Sequence, residues 1–111
     1  MILDFNKNDV EEKRIPNFKG GEKDTIAKLY TDELGKIMYG RLEPGASIGL
    51  HTHETSSEII YILSGKAHFL YDEGTEDADA GACHYCPKGH SHSMINEGEK
   101  DLVFFAVVPE Q

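Results

Sequence analysis

Short runs of β-forming residues, separated by Gly, Pro, Asp and Ser, dominate this chain. No window of a dozen residues carries the i, i+3, i+4, i+7 apolar spacing of an amphipathic helix. Many short strands with turn signals between them are typical of a sandwich or a barrel. The sequence therefore predicts an all-β protein, and a length of 111 residues favours one domain.

The predicted strands begin at residue 25. They cover residues 25–31, 36–43, 47–53, 57–63, 66–71, 82–86, 91–95 and 102–108. Residues 1–24 are polar and are predicted to form an N-terminal arm or edge strands, with residues 25–111 forming the barrel. The acidic segment 72–81 lacks the spacing of a calcium loop and is predicted to be a solvated hairpin tip.

Charge excludes two classes of partner. The chain has 20 acidic residues against 11 Lys and Arg, for a net charge of −9. Such a surface repels nucleic acid and anionic membranes. The longest apolar run, 102–108, is far shorter than the roughly 20 residues that cross a bilayer as a helix. The first residues lack the pattern of a signal peptide, so a cytoplasmic location is expected.

Ser64 and Gly65 predict a two-residue hairpin turn between strands 57–63 and 66–71. In that register Glu58 faces Tyr71. Strand alternation then gives two largely apolar faces. One carries Glu58, Ile60, Ile62, Ala67, Phe69 and Tyr71, and the other Ile59, Tyr61, Leu63, Lys66, His68 and Leu70. The first is expected to line the interior, and the second to pack under a neighbouring sheet or a second subunit.

Glu58 is a carboxylate on an apolar inward face, which is costly unless it is paired with a cation. His51 and His53 are two residues apart and share a face of one strand, and His92 follows a Pro-Lys-Gly loop. Three imidazoles and a carboxylate suit a divalent transition metal such as Mn, Fe, Ni, Zn, Co or Cu. Spacing alone leaves another interpretation open, with surface histidines and a Glu that accepts hydrogen bonds.

Two longer motifs contain these residues. Residues 45–65 read G-x5-H-x-H-x4-E-x6-G, and residues 81–96 read G-x5-P-x-G-x2-H-x3-N. They resemble the two signature motifs of the cupin superfamily, in order and separated by a short spacer. One departure is Ala82, where cupins often carry an Asp.

The resemblance implies a small jelly-roll β-barrel, a double-stranded β-helix. It implies that the matching residues, His51, His53, Glu58 and His92, hold a metal. It also implies a homodimer that would cover the outer apolar face. The expected function is action on a small polar organic molecule in the barrel cavity, as a dioxygenase, isomerase, decarboxylase or lyase. The alternative is a non-catalytic module that binds or senses a metal or metabolite.

Several other residues have two interpretations. Tyr71 and His90 are the acid–base candidates, although His90 also fits an exposed loop. Arg41 either binds a substrate carboxylate or points outward at the rim, and Tyr39, Met94 and Phe105 are pocket candidates. His68 is expected on the exterior. The Cys83-His84-Tyr85-Cys86 segment is a weak zinc signal, and both thiols are expected to be buried and unbridged.

Overall fold

The computed structural model describes residues 1–7 and 10–111. In that part of the chain the protein forms ten strands and one short 3-10 turn, Phe18–Gly20. The strands are β1 (Glu12–Pro16), β2 (Asp24–Asp32), β3 (Gly35–Leu42), β4 (Ser47–Thr52), β5 (Glu58–Ser64), β6 (Lys66–Tyr71), β7 (Gly74–Asp79), β8 (Cys83–Cys86), β9 (Ser91–Ile95) and β10 (Leu102–Pro109). The predicted all-β class is confirmed. The described residues include no helix with the length and apolar character needed to span a membrane.

Two antiparallel sheets enclose the core. The first sheet has the strand order β1-β2-β3-β10-β5-β8, and the second has the order β4-β9-β6-β7. Consecutive strands repeatedly cross from one sheet to the other, as they do in a jelly-roll barrel. The side chains between the sheets form one apolar cluster that includes Ile60, Ile62, Phe69, Met94, Leu102 and Phe104. The predicted jelly-roll fold is therefore confirmed.

The predicted hairpin at Ser64 and Gly65 is wrong. β5 pairs with β10 and β8, whereas β6 pairs with β7 and β9. Gly65 has a φ of 87°, and a Cβ there would lie 2.6 Å from the carbonyl oxygen of Asp101, so the chain crosses between the sheets at a residue without a side chain. Alternation did place Ile60, Ile62 and Phe69 correctly in the interior, because a crossover preserves inward-facing positions just as a hairpin does.

The acidic segment is a strand rather than a loop. β7 pairs with β6 along its whole length and forms the edge of the second sheet. Most of its side chains are exposed, so its composition resembles that of a loop. Charged residues on an edge strand also prevent pairing with the edge of another molecule.

The N-terminal segment packs on the barrel at two places. β1 pairs with β2 at the edge of the first sheet, and the Phe18–Gly20 turn lies against β4. A Cβ on Gly49 would lie 2.0 Å from the carbonyl oxygen of Lys19. A Cβ on Gly21 would lie equally close to that of Ser47, at 2.0 Å. This close approach requires both glycines.

The two cysteines lie on opposite faces of β8. Cys86 is fully buried, but Cys83 is exposed, so the expectation that both are buried is wrong for Cys83. Alternation along β8 separates them, and both are free thiols, as the sequence predicted. Burial raises the pKa of the Cys86 thiol to about 12, so it stays protonated and is a poor metal ligand.

Candidate metal centre

Four side chains from both sheets meet inside one end of the barrel. His51 on β4 lies directly opposite His92 on β9, and His53 follows β4. Glu58 is the first residue of β5 in the opposite sheet. One donor atom from each of these four residues lies within 4.8 Å of those of the other three. The motif residues thus come together although they belong to three separate stretches of chain.

Local backbone features aim the histidines. The pairing of β4 with β9 shifts register between Ile48 and His51, so a bulge precedes the first ligand candidate. Beyond β4, the His53 amide donates to the His90 carbonyl oxygen at 3.0 Å. The His53 carbonyl oxygen accepts from the Gly89 amide at 2.6 Å. The Pro87–Gly89 turn therefore holds His53 next to the strand that carries His92.

The spacing of the donor atoms fits one cation. Glu58 Oε1 lies 3.0 Å from His92 Nε2 and 3.2 Å from His53 Nε2. The two Nε2 atoms of His53 and His92 are 3.0 Å apart. Ligands at a right angle and about 2.1 Å from one cation lie about 3.0 Å from each other. A nitrogen and oxygen donor set with this spacing suits a divalent transition metal.

The other nitrogen of each imidazole has a partner of its own. His51 Nδ1 lies 2.7 Å from the Gly49 carbonyl oxygen, which can only accept, so Nδ1 donates and Nε2 keeps its lone pair. His53 Nδ1 lies 2.9 Å from Ser56 Oγ, and His92 Nδ1 lies 3.0 Å from His84 Nε2. Partners of this kind fix the ring orientation of metal-binding histidines.

Glu58 is ionised at neutral pH. Burial by itself raises its pKa, but hydrogen bonds from His53 and His92 outweigh burial and bring the pKa down to about 2. Burial lowers the pKa of His51. A cation at this point would replace the imidazole protons that bond Glu58 and would stabilise the buried carboxylate in their place.

A cavity of about 370 Å³ opens onto His51, His53 and Glu58. Its wall includes two cationic side chains, Lys19 and Lys36. Besides Glu58, the acidic side chains of the wall are Asp32, Glu54 and Glu110. The contribution of Phe18 and Lys19 was missed by the sequence analysis, which treated residues 1–24 only as an arm or edge. The paired glycines 21 and 49 were the available signal, because they permit that turn to reach β4.

Tyr71 and His90 lie beside the centre rather than in the cavity wall. Tyr71 is opposite His92 and not opposite Glu58, which pairs with Cys86 instead, so that part of the prediction is wrong. The Tyr71 hydroxyl lies 3.4 Å from His90 Nδ1, and the same nitrogen lies 2.6 Å from Asp72 Oδ2. Their role as acid or base stays a prediction.

The remaining pocket candidates lie elsewhere. Tyr39 stacks on Phe5 and Phe105 meets Phe5 edge-on, on the outer side of the first sheet. Met94 belongs to the apolar core. Arg41 lies 3.3 Å from a carboxylate oxygen of Asp101, which supports the outward interpretation. Tyr39 and Arg41 share a strand face opposite to that of the buried Met38 and Leu42, so alternation directs both outward.

Two further histidines have carboxylate partners. His68 is partly exposed on the outer face of the second sheet and lies 2.8 Å from Asp77 Oδ1, in agreement with the exterior assignment. His84 is buried, stacks on Phe69 with a centroid distance of 3.8 Å, and contacts His92. The sequence analysis named His84 only within a weak zinc signal, whereas alternation along β8 places it on the same buried face as Cys86.

Known proteins resemble this chain in sequence and in fold. An oxalate-binding protein of Thermotoga maritima is 36% identical over 108 residues, covering 91% of this chain and 88% of that protein. A crystal structure from Thermotoga maritima, described as a predicted oxalate decarboxylase, is 30% identical with a TM-score of 0.90 and covers 100% of both chains. A cupin-superfamily sugar phosphate isomerase of Silicibacter pomeroyi shares the fold, with a TM-score of 0.80 and 20% identity over 100% of this chain and 76% of its own.

The model of the cupin domain matches residues 38–108, which include all four residues of the candidate centre. This match covers more than half of the chain, and the sequence relative extends it into the N-terminal segment. The chain belongs to the cupin family.

Proposed function

We propose that this protein binds a divalent transition metal through His51, His53, Glu58 and His92 and uses it to hold a small dicarboxylate, with oxalate the first candidate. The observation that carries the proposal is the convergence of three imidazoles and an ionised, buried carboxylate on one point beside a cavity. The name of the oxalate-binding relative supports the choice of ligand.

Electrostatics favours a metal-dependent mode of binding. The chain carries a net charge of −9, so it repels a dianion unless positive charge is concentrated locally. A bound cation supplies that charge together with free coordination positions for two carboxylate oxygens. The cavity wall does not supply it, because Lys19 and Lys36 are outnumbered by the acidic side chains of the wall, so the bound cation would be the main source of positive charge.

A second candidate function is decarboxylation of oxalate. Conversion of oxalate to formate and carbon dioxide consumes one proton, and the Glu54 and Glu110 carboxyl groups lie in the cavity wall where a proton donor is required. Incubation of metal-loaded protein with ¹³C-oxalate distinguishes the two functions. Intact oxalate with retained binding supports the binding role, whereas release of labelled formate supports the enzyme.

Metal analysis and titration calorimetry test the main proposal. Wild-type protein is expected to bind one equivalent of Mn²⁺, Zn²⁺ or Co²⁺, and to bind oxalate only when loaded. The His51→Ala variant should lose most of its metal while its β-sheet circular dichroism is unchanged. His68→Ala, which removes an exterior histidine, is the matched control and should retain both its metal and its β-sheet circular dichroism. Full metal occupancy in His51→Ala would contradict the assignment.

The outer face of the first sheet supports a further part of the proposal, a homodimer. Exposed apolar residues cluster on β5 and β8, namely Ile59, Tyr61, Leu63 and Tyr85. Ile59 lies directly opposite Tyr85 in the ladder, so these side chains form one continuous surface. The same surface on a second copy is its natural partner, because an uncharged patch lets two acidic molecules associate around a two-fold axis.

A further inference from the structure

We propose that Glu76 and His84 form a relay from the surface to the barrel interior, which holds the proton on Nδ1 of His92 so that Nε2 is the nitrogen directed at the metal site. The inference rests on the proposed metal site and goes beyond it, because Glu76 lies outside the two cupin motifs and His84 occupies an unspecified position within the second. Glu76 and His84 are positioning residues that act through His92 and do not touch the metal.

Three strands from both sheets build the relay. Glu76 on β7 pairs with Phe69, and His92 on β9 pairs with Tyr71, so both flank β6 in the second sheet. His84 comes from β8 of the first sheet and fills the space between them. Glu76 Oε1 lies 2.6 Å from His84 Nδ1, and His84 Nε2 lies 3.0 Å from His92 Nδ1.

The carboxylate dictates where the protons lie. An ionised Glu76 can only accept a hydrogen bond, so His84 carries its proton on Nδ1. Neutral His84 then has a lone pair on Nε2, which accepts a hydrogen bond from the Nδ1–H group of His92. That leaves Nε2 of His92, 3.0 Å from Glu58 Oε1, as the nitrogen that faces the centre, where a metal would take the place of the proton that Nε2 donates to Glu58. One surface carboxylate thus determines the tautomers of two imidazoles in series.

Packing makes the arrangement rigid. The His84 side chain is 1% exposed, and its ring lies parallel to those of Phe69 and His92 at 15° in both cases. Glu76 is 48% exposed, so the relay runs from the centre to the surface. His51 and His53 differ, because a backbone oxygen and a hydroxyl are their partners.

The tautomers can be measured in metal-free protein by long-range ¹H–¹⁵N NMR of the imidazole rings. Wild type is expected to show Nδ1–H for both His84 and His92. In Glu76→Ala, His84 loses its acceptor and gains the Nε2–H form, which can no longer accept from His92, so a fraction of His92 loses its Nδ1 proton. Zn²⁺ affinity of that variant should fall about 10- to 100-fold, the usual cost of removing an outer partner of a metal ligand.

Asp77→Ala is the matched control. It removes an equal charge from the next residue of β7, whose side chain bonds His68 on the opposite face. It should leave the His84 and His92 spectra and the Zn²⁺ affinity unchanged. Unaltered tautomers in Glu76→Ala, or an equal loss of affinity in both variants, would overturn the relay. Failure of wild type to bind any metal would reject the proposed function instead, and the metal-free spectra would still decide the relay.

Discussion

Individual side chains at this centre are held by unlike partners. His51 donates a hydrogen bond to a carbonyl oxygen of its own strand. Glu58 instead accepts hydrogen bonds from two imidazoles on the facing side of the barrel. Those bonds keep Glu58 ionised despite its burial. Its negative charge therefore favours a cation more than a neutral side chain of the same shape would.

Glu58→Gln tests the contribution of that charge. The amide has the shape of the carboxylate but no charge, so metal affinity should fall. Loss of a residue that only hydrogen-bonds to a metal ligand already costs about tenfold or more, so loss of a ligand's charge should cost at least about tenfold. Competition with a chromogenic chelator measures the affinity. Glu54→Gln, a change in the cavity wall outside the donor cluster, is the control and should leave the affinity within about twofold of wild type.

His68 provides a test of electrostatics away from the metal. The hydrogen bond to Asp77 raises its pKa above the ordinary value of 6.5. Since the folded-state pKa is raised, the stabilisation is fully present below pH 6.5 and is lost as the pH rises through the folded-state value. NMR titration of the His68 ring should give a pKa above 6.5 in wild type and a lower pKa in Asp77→Asn. Identical titration curves would contradict the assigned contact.

Among the secondary-structure elements, β4 contributes to the site in three ways. It carries His51, pairs with β9 through a bulge, and supports the Phe18–Gly20 turn that brings Lys19 to the cavity. The approach of that turn leaves no room for a side chain at Gly49. β4 therefore links the N-terminal segment to the metal centre.

Gly49→Ala should separate the turn from β4. Its Cβ would lie 2.0 Å from the Lys19 carbonyl oxygen, so the backbone must move, at an expected cost of about 1–3 kcal/mol in the free energy of unfolding. Urea denaturation measures this cost. Gly74→Ala is the control, because the nearest atom to its Cβ is 3.8 Å away, and its stability should be close to wild type. Equal stability of the two variants would contradict the close packing.

At the scale of the whole molecule, the two sheets differ in how much of the outer surface is covered and in its charge. The N-terminal residues cover part of the first sheet, where Phe5 stacks on Tyr39, and the β5 and β8 portion stays exposed. The edge strand β7 of the second sheet is largely exposed and acidic. This asymmetry favours association through the first sheet.

Tyr61→Glu should therefore give a monomer. A charge at the centre of the β5 and β8 surface would be desolvated in the homodimer, which disfavours association. Sedimentation or light scattering at several concentrations measures the mass, expected to be a dimer for wild type. Leu34→Glu introduces the same charge at an exposed apolar position in the β2–β3 turn, and this variant should remain dimeric. A wild-type monomer at every concentration would contradict the homodimer.

The sequence alone determined the fold class, the ligand candidates and the inward or outward direction of most side chains. Alternation along a strand is a local property, so it identified Ile60 and Phe69 as interior without knowledge of any partner strand. The motif spacing likewise singled out His51, His53, Glu58 and His92.

Only the tertiary structure decided which strands pair and what surrounds the ligands. A crossover and a hairpin have the same alternation pattern, so the sequence could not show that β5 pairs with β10. It also did not reveal the strand within the acidic segment. The approach of Lys19 to the cavity and the contacts from Glu76 through His84 to His92 join residues far apart in the chain. Such contacts depend on how distant strands stack, which no local pattern of residues encodes.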